Sequence, residues 1–143
     1  MTFKELYAAM VHLADTHELD KEYSAFSGCD APTRREQIEA VAHELAHALC
    51  FGRPMSTAEL TTKLERLSAI EADRHELTVL RIETIALRRL GLRVDGEYLR
   101  HVASWRRKMA PVGATRAKLT PAEQGIVGWF LSIVRAAARE AAR

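Results

Sequence analysis

The chain has 143 residues, 48% of them hydrophobic and 28% charged, with 7 Gly, 4 Pro and a net charge of +2. That is the composition of a single globular domain, 1–143, long enough to bury a core without disulfide staples, and it excludes a disordered or low-complexity protein. Cys29 and Cys50 are too few for a disulfide framework, and no apolar run approaches membrane-spanning length, which excludes a small oxidised scaffold and a membrane protein.

The opening Met1-Thr2-Phe3-Lys4-Glu5 carries no basic-then-apolar secretion signal, so a reduced, cytoplasmic protein is the expectation. Charge is unevenly divided: residues 1–87 hold 9 Lys/Arg against 15 Asp/Glu, whereas residues 88–143 hold 12 against 4. A basic half of this kind suits a nucleic acid or an acidic partner protein. It equally suits one fold that solvates opposite sides with opposite charge.

Residues 2–18 read as an amphipathic helix, with Thr2 and Glu5 spaced as a capping box and Phe3, Leu6, Met10 and Leu13 on one stripe. After a loop from Asp20 to Pro32, Thr33 and Glu36 form a second capping box and open a helix that runs through Phe51 and stops at Gly52, with Pro54 just beyond. Ser56 and Glu59 form a third box. From there to Leu90 the sequence can be helical throughout, with a possible break near Ser68. At about 100° per residue, Arg74, Arg81 and Arg88 share a narrow stripe that should face solvent. Opposite them lie Ala69, Ala72, Val79, Leu80, Ala86, Leu87 and Leu90, and Glu65, Glu76 and Glu83 fall inside that apolar arc. A carboxylate there is costly unless paired or metal-bound. Beyond Gly91, a helix is expected from about Glu97 to Met109. The last helix has Thr120 as N-cap, Pro121 at its first position and Glu123 completing a box, with Ile126, Trp129, Phe130, Ile133 and Val134 as its packing face. Strand-like alternation is absent. The predicted fold is all-α, with about five helices packed around the 33–51 helix and little or no β-sheet.

That helix carries Val41-Ala42-His43-Glu44-Leu45-Ala46-His47-Ala48-Leu49. Residues four apart share a helix face, so His43 and His47 can offer two imidazoles to one ion while Glu44 stands beside them without competing as a ligand. The division suits a zinc hydrolase, in which the ion (Zn2+) acidifies a water and a neighbouring carboxylate moves its proton. Two imidazoles and a carboxylate favour zinc over other divalent ions. The blander reading is a buried helix whose histidines only hydrogen-bond. Cys50 is a conceivable extra ligand, although a small buried hydrophobe is the simpler role.

Catalytic zinc takes three protein ligands, so one must come from another helix. Glu71, in Ile70-Glu71-Ala72-Asp73-Arg74, is one candidate, far enough past His47 for the chain to turn and lay a second helix against the first. Glu76 is its main rival, followed by Asp73, His75 and Glu83. The His43-Glu44-Leu45-Ala46-His47 segment followed by Ile70-Glu71-Ala72-Asp73-Arg74 resembles the gluzincin metallopeptidases. More narrowly, it is similar to the small ImmA/IrrE-like and antirestriction-associated HExxH domains, and Leu90-Gly91-Leu92, Tyr98 and Val102-Ala103-Ser104-Trp105 also resemble that group. The resemblance implies His43, His47 and Glu71 as zinc ligands, Glu44 as general base, and a protein or peptide substrate. Such proteins usually place a small β-sheet before the metal helix, and residues 19–32 are too few for one.

Two functions follow as expectations. One is a zinc-dependent hydrolase, a peptidase acting on a specific protein. The other is a helical, metal-containing binding module whose basic residues 88–143 engage nucleic acid or an acidic partner, although Trp105, Trp129 and Phe130 look like core aromatics and no helix-turn-helix pattern stands out.

Overall fold

The computed structural model describes residues 1–21, 32–93, 104, 107–108 and 118–143. Among the described residues there are five α-helices and no strand: α1 (Phe3–His17), α2 (Arg34–Cys50), α3 (Thr57–Glu65), α4 (Ala69–Arg89) and α5 (Pro121–Ala141). The all-α expectation holds. The helix expected at about 97–109, with Tyr98 and Trp105, falls almost wholly outside the described residues, as does Cys29.

Each helix starts where a side-chain oxygen can take up a backbone donor that the first turn leaves without a partner. Thr2, Thr33, Ser68 and Thr120 are N-caps in extended conformation, and each forms a reciprocal capping box with a glutamate three residues on: Glu5, Glu36, Glu71 and Glu123. Ser56 also caps, accepting from the Glu59 amide, but the expected third box is only half made. The Glu59 carboxylate turns instead to the Arg53 guanidinium at 2.6 Å, because a charged donor holds a carboxylate more strongly than an amide does. The possible break near Ser68 is real: Arg66 caps α3, and Ser68 opens α4 as a separate helix. α2 ends as expected before Gly52, whose φ of 107° lies in the left-handed region open to glycine.

Helices α1, α2, α4 and α5 pack in a ring in that order, with α2 and α5 also touching across it, and α3 lies against α2. Helix α2 thus packs against all four of the other described helices, and nearly every position from Ile38 to Leu49 is buried. The shared core includes Leu6, Met10, Ile38, Leu45, Ile82, Leu87, Phe130 and Val134. Side chains this size each contribute about 1.5–3 kcal/mol by burial. A smaller cluster of Ala48, Met55 and Leu60 joins α3 to α2.

Two expected faces are corrected in part. On α5 the expected face largely holds, with Phe130 and Val134 buried and Ile126 and Ile133 packed against the core, but it centres on Val127, Phe130, Leu131, Val134 and Ala137 and leaves Trp129 39% exposed. On α4 the arginine stripe does not all face water: Arg74 and Arg88 are exposed, whereas Arg81 is 3% exposed and donates to Glu123 of α5. α4 runs between α2 and α5, and Arg81 faces the second of these. No helix among the described residues is long and apolar enough to cross a membrane.

Candidate metal centre

α2 supplies His43 and His47, one turn apart, and α4 supplies Glu76 and Glu83, two turns apart on one face. His43 bonds to Glu83 and Glu76, and His47 to Glu76 and His75, so partners step down α4 as they step up α2. The two helices are therefore antiparallel, which fixes the pairing. His43, His47 and Glu83 are buried and Glu76 is half-buried.

The atoms facing one another make the chemistry legible. His43 Nε2 lies 3.0 Å from His47 Nε2, and the Glu76 oxygens reach them at 2.9 Å and 3.0 Å respectively. One ligand atom from each of the three residues falls within 4.8 Å of the others. The outward nitrogens are also engaged, His43 Nδ1 with Glu83 Oε2 at 2.9 Å and His47 Nδ1 with His75 Nε2 at 2.8 Å. With protons on both Nδ1 atoms, two imidazole lone pairs and a carboxylate converge on one point. That donor set could hold a divalent cation at its centre. Without a metal, an added proton on His43 supplies positive charge there.

The electrostatics follow the same logic. Burial opposes charge on His43, but Glu83 and Glu76 beside it hold its pKa well above the ordinary 6.5. Burial likewise opposes charge on Glu76, and the bonds from His43 and His47 outweigh it and keep the carboxyl well below the usual range. His75 is lowered to about 4, by burial first and by His47 second, so it is neutral at physiological pH.

These shifts predict a pH dependence. In the metal-free protein, a raised His43 pKa contributes stability in full below 6.5 and loses it as pH rises through the folded value. The lowered Glu76 contributes above 4.5 and loses its contribution as pH falls through its own folded value. Zinc held by these residues would require the neutral imidazole and would gain as the His43 proton leaves. The rise in Tm produced by saturating zinc should therefore be larger at pH 8 than at pH 6, measured by scanning calorimetry. A larger rise at pH 6 would contradict this electrostatic arrangement.

Glu44 stands apart from the trio, as its sequence position implies. It is half-buried, and Oε2 accepts a hydrogen bond from the Thr57 hydroxyl at 3.2 Å. The Asp20 amide donates to that hydroxyl oxygen at 2.8 Å, so the hydroxyl proton is directed at Glu44. Burial raises the Glu44 pKa, and His47, His43 and Thr57 pull it the other way.

Glu71 is not brought to the histidines. It sits at the exposed start of α4, where its carboxylate accepts from the Ser68 amide at 3.1 Å, and the bonds with Ser68 lower its pKa. The carboxylate beside both histidines is Glu76, one and a half turns further on. The spacing of Ser68 and Glu71 is that of a capping box, a signal that went unread in the sequence, whereas Glu76 and Glu83 stood out as charges in an apolar arc. Of the remaining candidates, Asp73 lies outside the group that converges on one point, and Cys50 packs against the main core, where burial pushes its thiol up to about 12.

Comparison of the chain with family models, with curated proteins and with solved structures returned no match.

Proposed function

We propose that the chain is a zinc-dependent hydrolase, a peptidase acting on a specific protein, built on the gluzincin pattern with Glu76 as the third ligand. The observation that carries this reading is the convergence of His43 Nε2, His47 Nε2 and both Glu76 oxygens, with each outward imidazole nitrogen already taken. His43, His47 and Glu76 would hold the ion. Zinc, when bound, supplies Lewis acidity that favours ionisation of water and polarises a carbonyl. Glu44 takes the proton from the attacking water and delivers it to the leaving group, and its burial-raised pKa suits both halves of that task. Thr57 holds one Glu44 oxygen, leaving the other for the proton. Glu83 holds His43 in the tautomer that presents Nε2 inward.

The test offers a peptide library, prepared by digesting a whole proteome, to the zinc-loaded wild type and to Glu44→Gln. Cleavage by the wild type should fall about 10²–10⁴-fold in the variant, with zinc content unchanged. Undiminished cleavage by Glu44→Gln would remove the mechanism.

A further inference from the structure

The two histidines of the site are supported unequally. His43 Nδ1 meets a carboxylate, Glu83, whereas His47 Nδ1 meets an imidazole, Nε2 of His75, at 2.8 Å. Two ring nitrogens at that distance share one proton. Because His47 Nε2 faces His43 Nε2 and the Glu76 carboxylate, the shared proton belongs on His47 Nδ1 and His75 accepts it. We propose that His75 is a positioning residue for the metal centre, an imidazole acceptor that fixes the tautomer and ring plane of His47. The inference rests on the zinc reading above.

His75 is itself held in place. Its ring stacks on Phe51, with centroids 4.5 Å apart and planes 30° apart, and lies 4.8 Å from the His47 ring at a tilt of 33°. Phe51 follows His47 by one helical turn at the end of α2, so the His75 ring lies along a face made by both. A freely rotating side chain would lose this geometry, and the stack prevents it. The choice of an imidazole has a charge rationale. His75 is the residue before Glu76, and Glu44 and Glu83 are also ionisable neighbours of the two metal-facing histidines. Another carboxylate there would repel those present, whereas a neutral ring accepts the same hydrogen bond without adding charge. A carboxylate partner raises the basicity of a ligand histidine. An imidazole raises it less, which leaves His47 the weaker electron donor of the pair.

The experiment measures zinc affinity by competition with a chromophoric chelator for the wild type, His75→Leu and His75→Gln, beside long-range ¹⁵N NMR of the zinc-loaded wild type. His75→Leu should bind zinc about 10–100-fold more weakly, and His75→Gln, whose amide oxygen can accept the same proton, should recover most of the loss. The wild-type spectrum should show His47 protonated at Nδ1 and metal-bound through Nε2. Equal affinity in wild type and His75→Leu, no recovery in His75→Gln, or His47 bound through Nδ1 would overturn the inference while leaving the zinc site standing. Absence of zinc binding in the wild type would instead overturn the site and the inference together. The NMR readout decides even where His75→Leu does not fold.

Discussion

Glu76→Ala should abolish stoichiometric zinc binding, whereas Glu71→Ala should keep it. The two glutamates are five residues apart on α4, about 140° around the helix, so at most one of them can face α2. Glu76 places an oxygen within 3.0 Å of the His43 and the His47 imidazole, and Glu71 spends its carboxylate on the Ser68 amide at the exposed helix start. Removing Glu76 would take away one of the three proposed ligands, a loss expected to exceed the roughly 10–100-fold typical of an outer hydrogen-bonding partner. Removing Glu71 weakens a cap, and its expected mark is a slightly lower Tm with unchanged metal content. Elemental analysis of the purified variants, followed by chelator competition, separates the outcomes. Zinc lost in Glu71→Ala and kept in Glu76→Ala would invert the assignment.

That pair of residues also marks how far the sequence was legible. Helix starts were largely readable because capping is local: a Ser or Thr and a glutamate three residues later carry most of the information, and Thr2, Thr33 and Thr120 behave accordingly, while Ser56 makes half of its expected box and the box of Ser68 and Glu71 went unread. The placement of His43 and His47 on one face of a buried helix was local as well. The third member of the group was not, because it depends on how α4 is rotated and slid against α2. Periodicity put Glu76 and Glu83 on a common face, and only the tertiary packing decides that this face meets His43. Resemblance pointed to Glu71, and the competing local signal, a Ser68 three residues before it in capping-box spacing, went unread. The same limit applies to Arg81. A heptad stripe of arginines states which residues share a face, but not that a later helix will cover the middle of it. Trp129 is the reverse case, an aromatic read as core that lies at the edge of the α5 packing face and stays at the surface.

Glu123→Leu should destabilise the fold by about 3–5 kcal/mol, the usual cost of removing one member of a buried ion pair. Arg81 Nη2 approaches Glu123 Oε2 at 3.4 Å and donates to the Thr78 hydroxyl at 3.1 Å, while Glu123 Oε1 accepts from the Thr120 amide at 3.3 Å. One carboxylate thus caps α5 and ties its first turn to the middle of α4. The variant withdraws a negative charge from a guanidinium already out of water and removes half of a capping box. The double variant Arg81→Met/Glu123→Leu should lie well above Glu123→Leu in stability, because it removes the buried cation along with its partner. Urea unfolding of both single variants and the double closes the cycle, and simple additivity of the two single effects would show that the pair is not coupled. The bond has a bearing on the metal centre. Arg81 lies about 140° around α4 from Glu76 and about 160° from Glu83, so polar bonds grip the helix on nearly opposite sides, to α2 through the glutamates and to α5 through the arginine. Apolar packing alone tolerates small rotations of a helix, whereas these bonds do not, and α4 presents Glu76 to the histidines in a single orientation.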